Sequence, residues 1–374
     1  MVLMGIGGGS LRFWSLWLTL GGLFGCMPKV QVEVLQPAAV TFPAQLKTLA
    51  VVDRSRPANL GQAVLGAIEG LITGEPILGD REGASRAMES VITTVRASPR
   101  FEAAVPVLTK EQSETDIFDK ELSWAAAERI ARKAKADAIV ALEAFDTDSS
   151  VTFRTDQESY NDNGVSKERT VHTAIRSTNV LAAWRVYDVQ SRTLIDDYRD
   201  RAYTNSWEAT GNSRAAALAG LATQVFTIET LGAEAGAAYG RRIAPSYVYV
   251  TRAYYGKGSE RLVEAKAHVR SGDWDGAAKI WTAIVENGRD PKILGRAKFN
   301  LALASEISGD LAGAIDWAKQ AGVELRKRRA YNYSALLSQR LADKRLVDEQ
   351  MAAPPEVPET RPSKSGSGQK SRPR

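Results

Sequence analysis

Apolar and polar residues alternate in VQVEVLQPAAVTFP (30–43), predicting a strand that feeds a short extended link containing Pro37 and Pro43. In LKTLAVVDRS (46–55) the alternation gives way to an unbroken apolar run, Leu49, Ala50, Val51 and Val52, the pattern of a strand covered on both faces. From Arg81 the period becomes helical, with Ala84, Met88, Val91, Ile92 and Val95 on one side, and Pro99 closes the helix before a strand in RFEAAVPVL. Leu122, Ala126, Ile130 and Ala134 mark a second helix, which runs straight into an apolar strand, KADAIVALEAF. Strand, helix, strand, helix, strand predicts two crossovers that pack helices on a sheet.

Residues 146–170 are polar and rich in turn formers, which predicts an exposed hairpin or a mobile loop. STNVLAAWRVYDV and TLIDDYRDRAYT flank Gln190, Ser191 and Arg192, as the arms of an antiparallel hairpin would. After Asn212 the residues Leu218, Leu221, Val225, Ile228 and Gly232 predict one long helix, whose small residues Ala222, Gly232 and Gly236 suit close approach to the sheet. Its uncharged stretch, 215–228, is too short to span a membrane. SYVYVTRAYY, entered from Pro245, is then the last strand of this domain.

A different architecture follows. SGDWDGAAKIW (271–281) and SGDLAGAIDWA (308–318) share S-G-D-x-x-G-A at an offset of 37 residues, each between two amphipathic segments. Helix, tight Gly-Asp turn, helix resembles the tetratricopeptide repeat. The resemblance makes Gly272 and Gly309 the residues that end each first helix, Asp273 and Asp310 their neighbours in the turn, and Ala277 and Ala314 the small residues where two helices touch. The offset departs from the family's 34-residue period, and Leu311 stands where the first copy has Trp274. Generic helical hairpins are the alternative. Two repeats need neighbours to cover their apolar ends, so 329–348, with Tyr333, Leu336, Leu337, Leu341 and Leu346, is expected to form a capping helix.

The N-terminus changes the cellular setting. An apolar segment, 13–24, is too short for a stable membrane span and reads as a signal peptide. It ends at Leu23-Phe24-Gly25-Cys26, which resembles a bacterial lipobox and holds the chain's single cysteine. Phe24 is bulkier than that pattern usually carries. The resemblance implies cleavage before Cys26, acylation of its thiol and amine, and stable attachment to a bilayer. A buried, inert thiol is the other reading. Met27 stands where an aspartate would signal inner-membrane retention in enterobacteria, which favours the outer membrane.

Composition narrows the chemistry. Of the +5 formal charge, a net three sit in 352–374, where Arg361, Lys364, Lys370, Arg372 and Arg374 face Glu356 and Glu359. The remainder is nearly neutral, which argues against a nucleic-acid footprint. One cysteine excludes an internal disulfide and C-x-x-C motifs, and two histidines, His172 and His268, exclude a multi-histidine metal centre. SYNDNG (159–164) approximates a calcium loop, but Ser159 and Thr170 replace its first and last carboxylates, so an Asn-Gly turn is expected. YGKGSE (255–260) lacks the spacing of a phosphate loop, since Thr251 occupies the position of its first glycine, and reads as a linker. Neither histidine adjoins a G-x-S-x-G elbow. Paired carboxylates such as Asp146 and Asp148 are candidates for an acid/base couple, against solvated carboxylates beside a turn. Arg326, Lys327, Arg328 and Arg329 form a basic cluster, either a charged helix end or a contact for acidic headgroups or an acidic partner.

LKTLAVVDRS, SPRFEAAV, KADAIVAL and the WRVYDVQSRTLID hairpin resemble recurring phrases of the TolB amino-terminal domain and the curli-secretion lipoprotein fold. The chain also resembles uncharacterised lipoproteins of Bacteroidota that join such a domain to helical repeats, which carries over no catalytic residue. The expected fold is α+β, a mixed sheet with packed helices, followed by an all-α TPR-like helical repeat domain. Its parts are a signal peptide (1–25), a lipid-anchored segment (26–46), an α/β domain near the membrane (47–252), repeats with a capping helix (259–350) and a disordered basic tail (351–374). The expected protein is a non-enzymatic outer-membrane lipoprotein facing the periplasm, without cofactor or metal, whose repeats bind an envelope protein. An oligomeric assembly or secretion component is the alternative, and a carboxylate-dependent envelope hydrolase the third.

Overall fold

The structure, a computed structural model, describes residues 27–55, 77–107, 121–199 and 202–352. The expected signal peptide, Cys26 and the tail beyond Ala352 lie outside the described residues. A mixed sheet with packed helices comes first and an all-helical region follows. The described residues divide into two compact units, one within Val32–Val250 and Leu336–Arg374, the other within Met1–Gln31 and Thr251–Ala335.

In the first unit, β2 (Thr48–Asp53) lies between β3 (Ala103–Val107) and β4 (Ala138–Asp162), parallel to both, with Leu49 beside Ala104 and Ala138. Helix α1 (Ile77–Ala97) leads to β3 and α2 (Trp124–Ala134) returns to β4. Leu49 and Val51 pack with Ala84, Val91 and Val95 of α1, whereas Ala50 and Val52 pack with Ala126 and Ile130 of α2. Opposite faces for opposite crossing directions are what right-handed connections require. This sandwiching explains the unbroken apolar run of β2, four of whose residues are completely buried.

The phrases behind the envelope-domain resemblance are joints of this layer. The Asp137 carboxylate accepts the Lys47 and Thr48 amides, both at 2.8 Å, tying the start of β4 to the start of β2. Arg100 donates to the Leu46 and Pro43 carbonyls at 2.9 and 2.8 Å, and Phe101 meets Phe42 edge-on.

The polar stretch after Phe145 is the exposed hairpin and not the loop. β4 runs on to Asp162 and pairs along its length with β5 (Val165–Asp188), the two joined at Asn163 and Gly164, both at positive φ (53° and 87°). That is the geometry Asn-Gly supplies in a two-residue hairpin. β6 (Thr193–Arg199) and β7 (Tyr203–Gly211) follow one another along β5, opposite Ala183–Asp188 and then opposite 172–180. Hydrophobic periodicity does not predict β7: TNSWEATG has too little apolar alternation to announce a strand, and β5 supplies its pairing.

The long helix expected after Asn212 is two helices, α3 (Arg214–Ala219) and α4 (Gln224–Ile243). Thr223 accepts the Phe226 amide and starts α4 afresh, an N-cap that apolar periodicity cannot register. Gly232 and Gly236 approach α1 and not the sheet: a Cβ on either would collide with the carbonyl of Gly83 or Ala87. Trp184 of β5 stacks on Tyr239 of α4 at 4.7 Å, with the planes 7° apart. The 246–253 segment, β8 (Ser246–Ala253), does not join the large sheet and pairs with β1 (Lys29–Gln36) in a two-stranded ribbon.

The helical region comprises α5 (Glu260–Arg270), α6 (Trp274–Asn287), α7 (Pro291–Ser308), α8 (Leu311–Leu325) and α9 (Arg328–Met351). In α9, Tyr333 and Leu337 are buried. Leu336 and Leu346 are exposed, and Val347 and Gln350 are buried in their place. Gln350 clamps Ala38 by donating to its carbonyl and accepting from its amide.

Candidate functional site

The helical hairpins show what each letter of S-G-D-x-x-G-A does. Gly272 and Gly309 sit at φ 79° and 86°, a left-handed backbone that glycine enters at no steric cost. Asp273 and Asp310 then cap the next helix, accepting the amides of Gly276 at 2.8 Å and Gly313 at 2.9 Å. A Cβ on Gly276 or Gly313 would collide with the capping carboxylate. Ala277 and Ala314 are completely buried at the helix contact. Asp273 is also 2.6 Å from His268 Nδ1, and the Gly276 amide, then His268, hold its pKa below the ordinary carboxylate value.

The 37-residue offset exposes a difference between the copies. Val269, a buried core position of α5, corresponds to Glu306 of α7, whose side chain is wholly shielded from solvent. Arg252 grips this carboxylate through Nε (3.0 Å) and Nη2 (2.9 Å), and the Tyr333 hydroxyl donates to it at 2.6 Å. Nearby, Asn300 donates to the Tyr255 carbonyl and accepts its amide, fixing the linker read as YGKGSE. Sequence reasoning missed both residues, although the repeat offset pairs each with an aliphatic: Val269 with Glu306, Val263 with Asn300. Val263 itself is 55 % exposed on α5.

In the α/β unit a second polar cluster lies where β2 ends beside Leu142 of β4. Arg54 pairs with Glu143, and the Tyr187 hydroxyl donates to Glu143 at 2.6 Å while accepting the Leu122 amide at 3.1 Å. Burial first, and then the Glu143 charge, push the Tyr187 pKa up. Carboxyl ends of strands beside a change of crossover direction are where open α/β sheets hold ligands. Here the groups face one another and a backbone amide, so they brace the sheet against α2. A cavity of about 640 Å³ between α1 and the β2 and β3 ends is lined by Asp53, Glu89 and Arg96 among Met88, Ile92 and Val107.

The remaining candidates stay apart. Asp146 and Asp148 are exposed on either side of Thr147, whose hydroxyl meets the Asp80 carboxylate. His172 lies in β5 with Nδ1 3.1 Å from Thr155 Oγ1, and Asn161 of the 159–164 segment caps the Gly164 amide at the hairpin tip. Arg326, Lys327, Arg328 and Arg329 are exposed, the first two between α8 and α9 and the last two in the first turn of α9. Among the described residues no helix is long and apolar enough to cross a membrane.

A comparison with curated proteins finds no match. Residues 263–339, the helical hairpins and the first part of α9, match the family described as Domain of unknown function (DUF6340). Residues 46–255, more than half of the chain, match Domain of unknown function (DUF8603), and the chain belongs to that family.

Proposed function

We propose that this protein is a cell-envelope lipoprotein, anchored through Cys26 in the outer membrane and facing the periplasm, whose helical hairpins bind another envelope protein. The carrying observation is a pair of hairpins built on the same capped turn, whose first helix leaves Val263 in solvent. Repeats of this kind bury each face against a neighbour, so an apolar side chain left open on the terminal helix is a contact surface in waiting. The resemblances to the lipobox, the tetratricopeptide repeat and the TolB and curli-secretion domains favour the same reading. Crosslinking in intact cells followed by mass spectrometry tests it. Val263→Glu and a chain truncated before Ser259 should both lose the partner, and equal recovery from all three proteins would overturn the scaffold. The anchor is tested separately, by labelled palmitate incorporation that Cys26→Ser abolishes.

One observation favours assembly of several copies as a second reading. Beyond Ala144, β4 forms a backbone ladder with β5 alone among the described residues, so its other edge is open to strand pairing. Sizing of the Cys26→Ser protein separates monomer from ring.

A further inference from the structure

The chain leaving Cys26 is fixed to the helical unit. The Pro28 carbonyl accepts the Tyr254 amide at 3.0 Å, and Arg329 Nη1 reaches the Met27 sulfur. Arg329 ends a run of four consecutive cations placed at one corner by the turn between α8 and α9, where Arg326 adopts a left-handed backbone (φ 50°) and donates to the Gly322 carbonyl. Arg326, Lys327, Arg328 and Arg329 are exposed, and none forms an ion pair among the described residues. The same corner offers Tyr331, half exposed with its ring against Gly322, and Val323, 69 % exposed. Lys29, also exposed, follows two residues after Met27.

We infer that this corner is a membrane-contact surface that binds anionic phospholipid headgroups beside the point where the acyl chains enter the bilayer. The inference rests on the proposed acylation of Cys26, since that places residue 27 at the membrane surface. A lipid anchor combined with a basic patch holds a protein more firmly than either alone, and cations within a Debye length of an anionic leaflet are each drawn to it. An aromatic and an aliphatic side chain at the same corner suit the headgroup layer, where amphipathic rings collect. This corner of the helical unit then faces the bilayer.

The test uses the mature chain, 26–374, carrying Cys26→Ser, so that no acyl chain contributes. It should cosediment with phosphatidylcholine vesicles containing phosphatidylglycerol and not with phosphatidylcholine alone, in a salt-sensitive manner. Combined Arg326→Gln, Lys327→Gln, Arg328→Gln and Arg329→Gln should lower the partition coefficient at least about tenfold. Lys167→Gln with Arg169→Gln, near the tip of the β4–β5 hairpin, should leave it unchanged. The cations of 353–374 are present in every variant, so the difference reads the corner alone. Equal binding to both vesicles, no binding to either, or undiminished binding by the fourfold variant would overturn the inference. Capture of an acidic protein without vesicle binding would assign the corner to that protein instead. Because the acyl chains are absent, a negative result leaves the palmitate test of Cys26 standing.

Discussion

Arg252 donates both Nε and Nη2 to Glu306, a carboxylate with no solvent-accessible side-chain surface in the middle of the helical unit. Removing one member of a buried pair leaves an uncompensated charge, which costs about 3–5 kcal/mol. Arg252→Ala should therefore lower the urea midpoint of the helical unit by that equivalent. Arg252→Leu with Glu306→Val, which restores the aliphatic found at Val269, should be close to neutral. Equal losses from the single and double variants would contradict this account.

Gly236 packs on Ala87 so closely that a Cβ would overlap the Ala87 carbonyl, and Gly232 does the same to Gly83. Backbone cannot swing aside as a flexible side chain can, so α1 and α4 must separate. Gly236→Ala should destabilise the α/β unit by about 1–3 kcal/mol, the usual range for overpacking. Ala222→Gly, outside this contact, should lack that effect. Thermal unfolding followed by the fluorescence of the buried Trp184 distinguishes them.

Tyr187 gives Glu143 one of its hydrogen bonds and takes the Leu122 amide. Tyr187→Phe keeps the ring but orphans an amide and weakens the hold on a buried carboxylate, at a cost of about 1–3 kcal/mol. Hydrogen exchange should accelerate first at Leu122, which loses its acceptor.

Asp80 offers a pH signature. Burial raises its pKa above 3.8, the Thr147 hydrogen bond opposes this, and the nearby Asp146 charge adds to it. A carboxyl whose folded pKa is raised binds more protons in the folded state, so stability is greatest below the unfolded value and declines as pH rises through the folded one. Asp80→Asn should flatten that decline and be no less stable than wild type at neutral pH. Denaturant titrations across acidic to neutral pH would refute this if both proteins kept the same slope.

What could be read from the chain was local. The apolar run of β2, the helical spacing of α1, the Asn163-Gly164 turn and the Gly-Asp turns before Ala277 and Ala314 each announce themselves within a few residues. Each obeys a backbone or burial rule that needs no knowledge of the partner. β7 carries no such pattern and exists because β5 offers it a ladder; Gly232 and Gly236 signal close approach without saying to what.

The amino-acid order by itself determined a mixed sheet followed by repeated helical hairpins, because hydrophobic period and turn chemistry are short-range properties. Only the tertiary structure decided that Glu306 meets Arg252, that α4 packs on α1, and that Arg329 reaches Met27. Those pairings join segments far apart in the chain, and their geometry follows from how the packed layers bring remote backbone together, which no local pattern records.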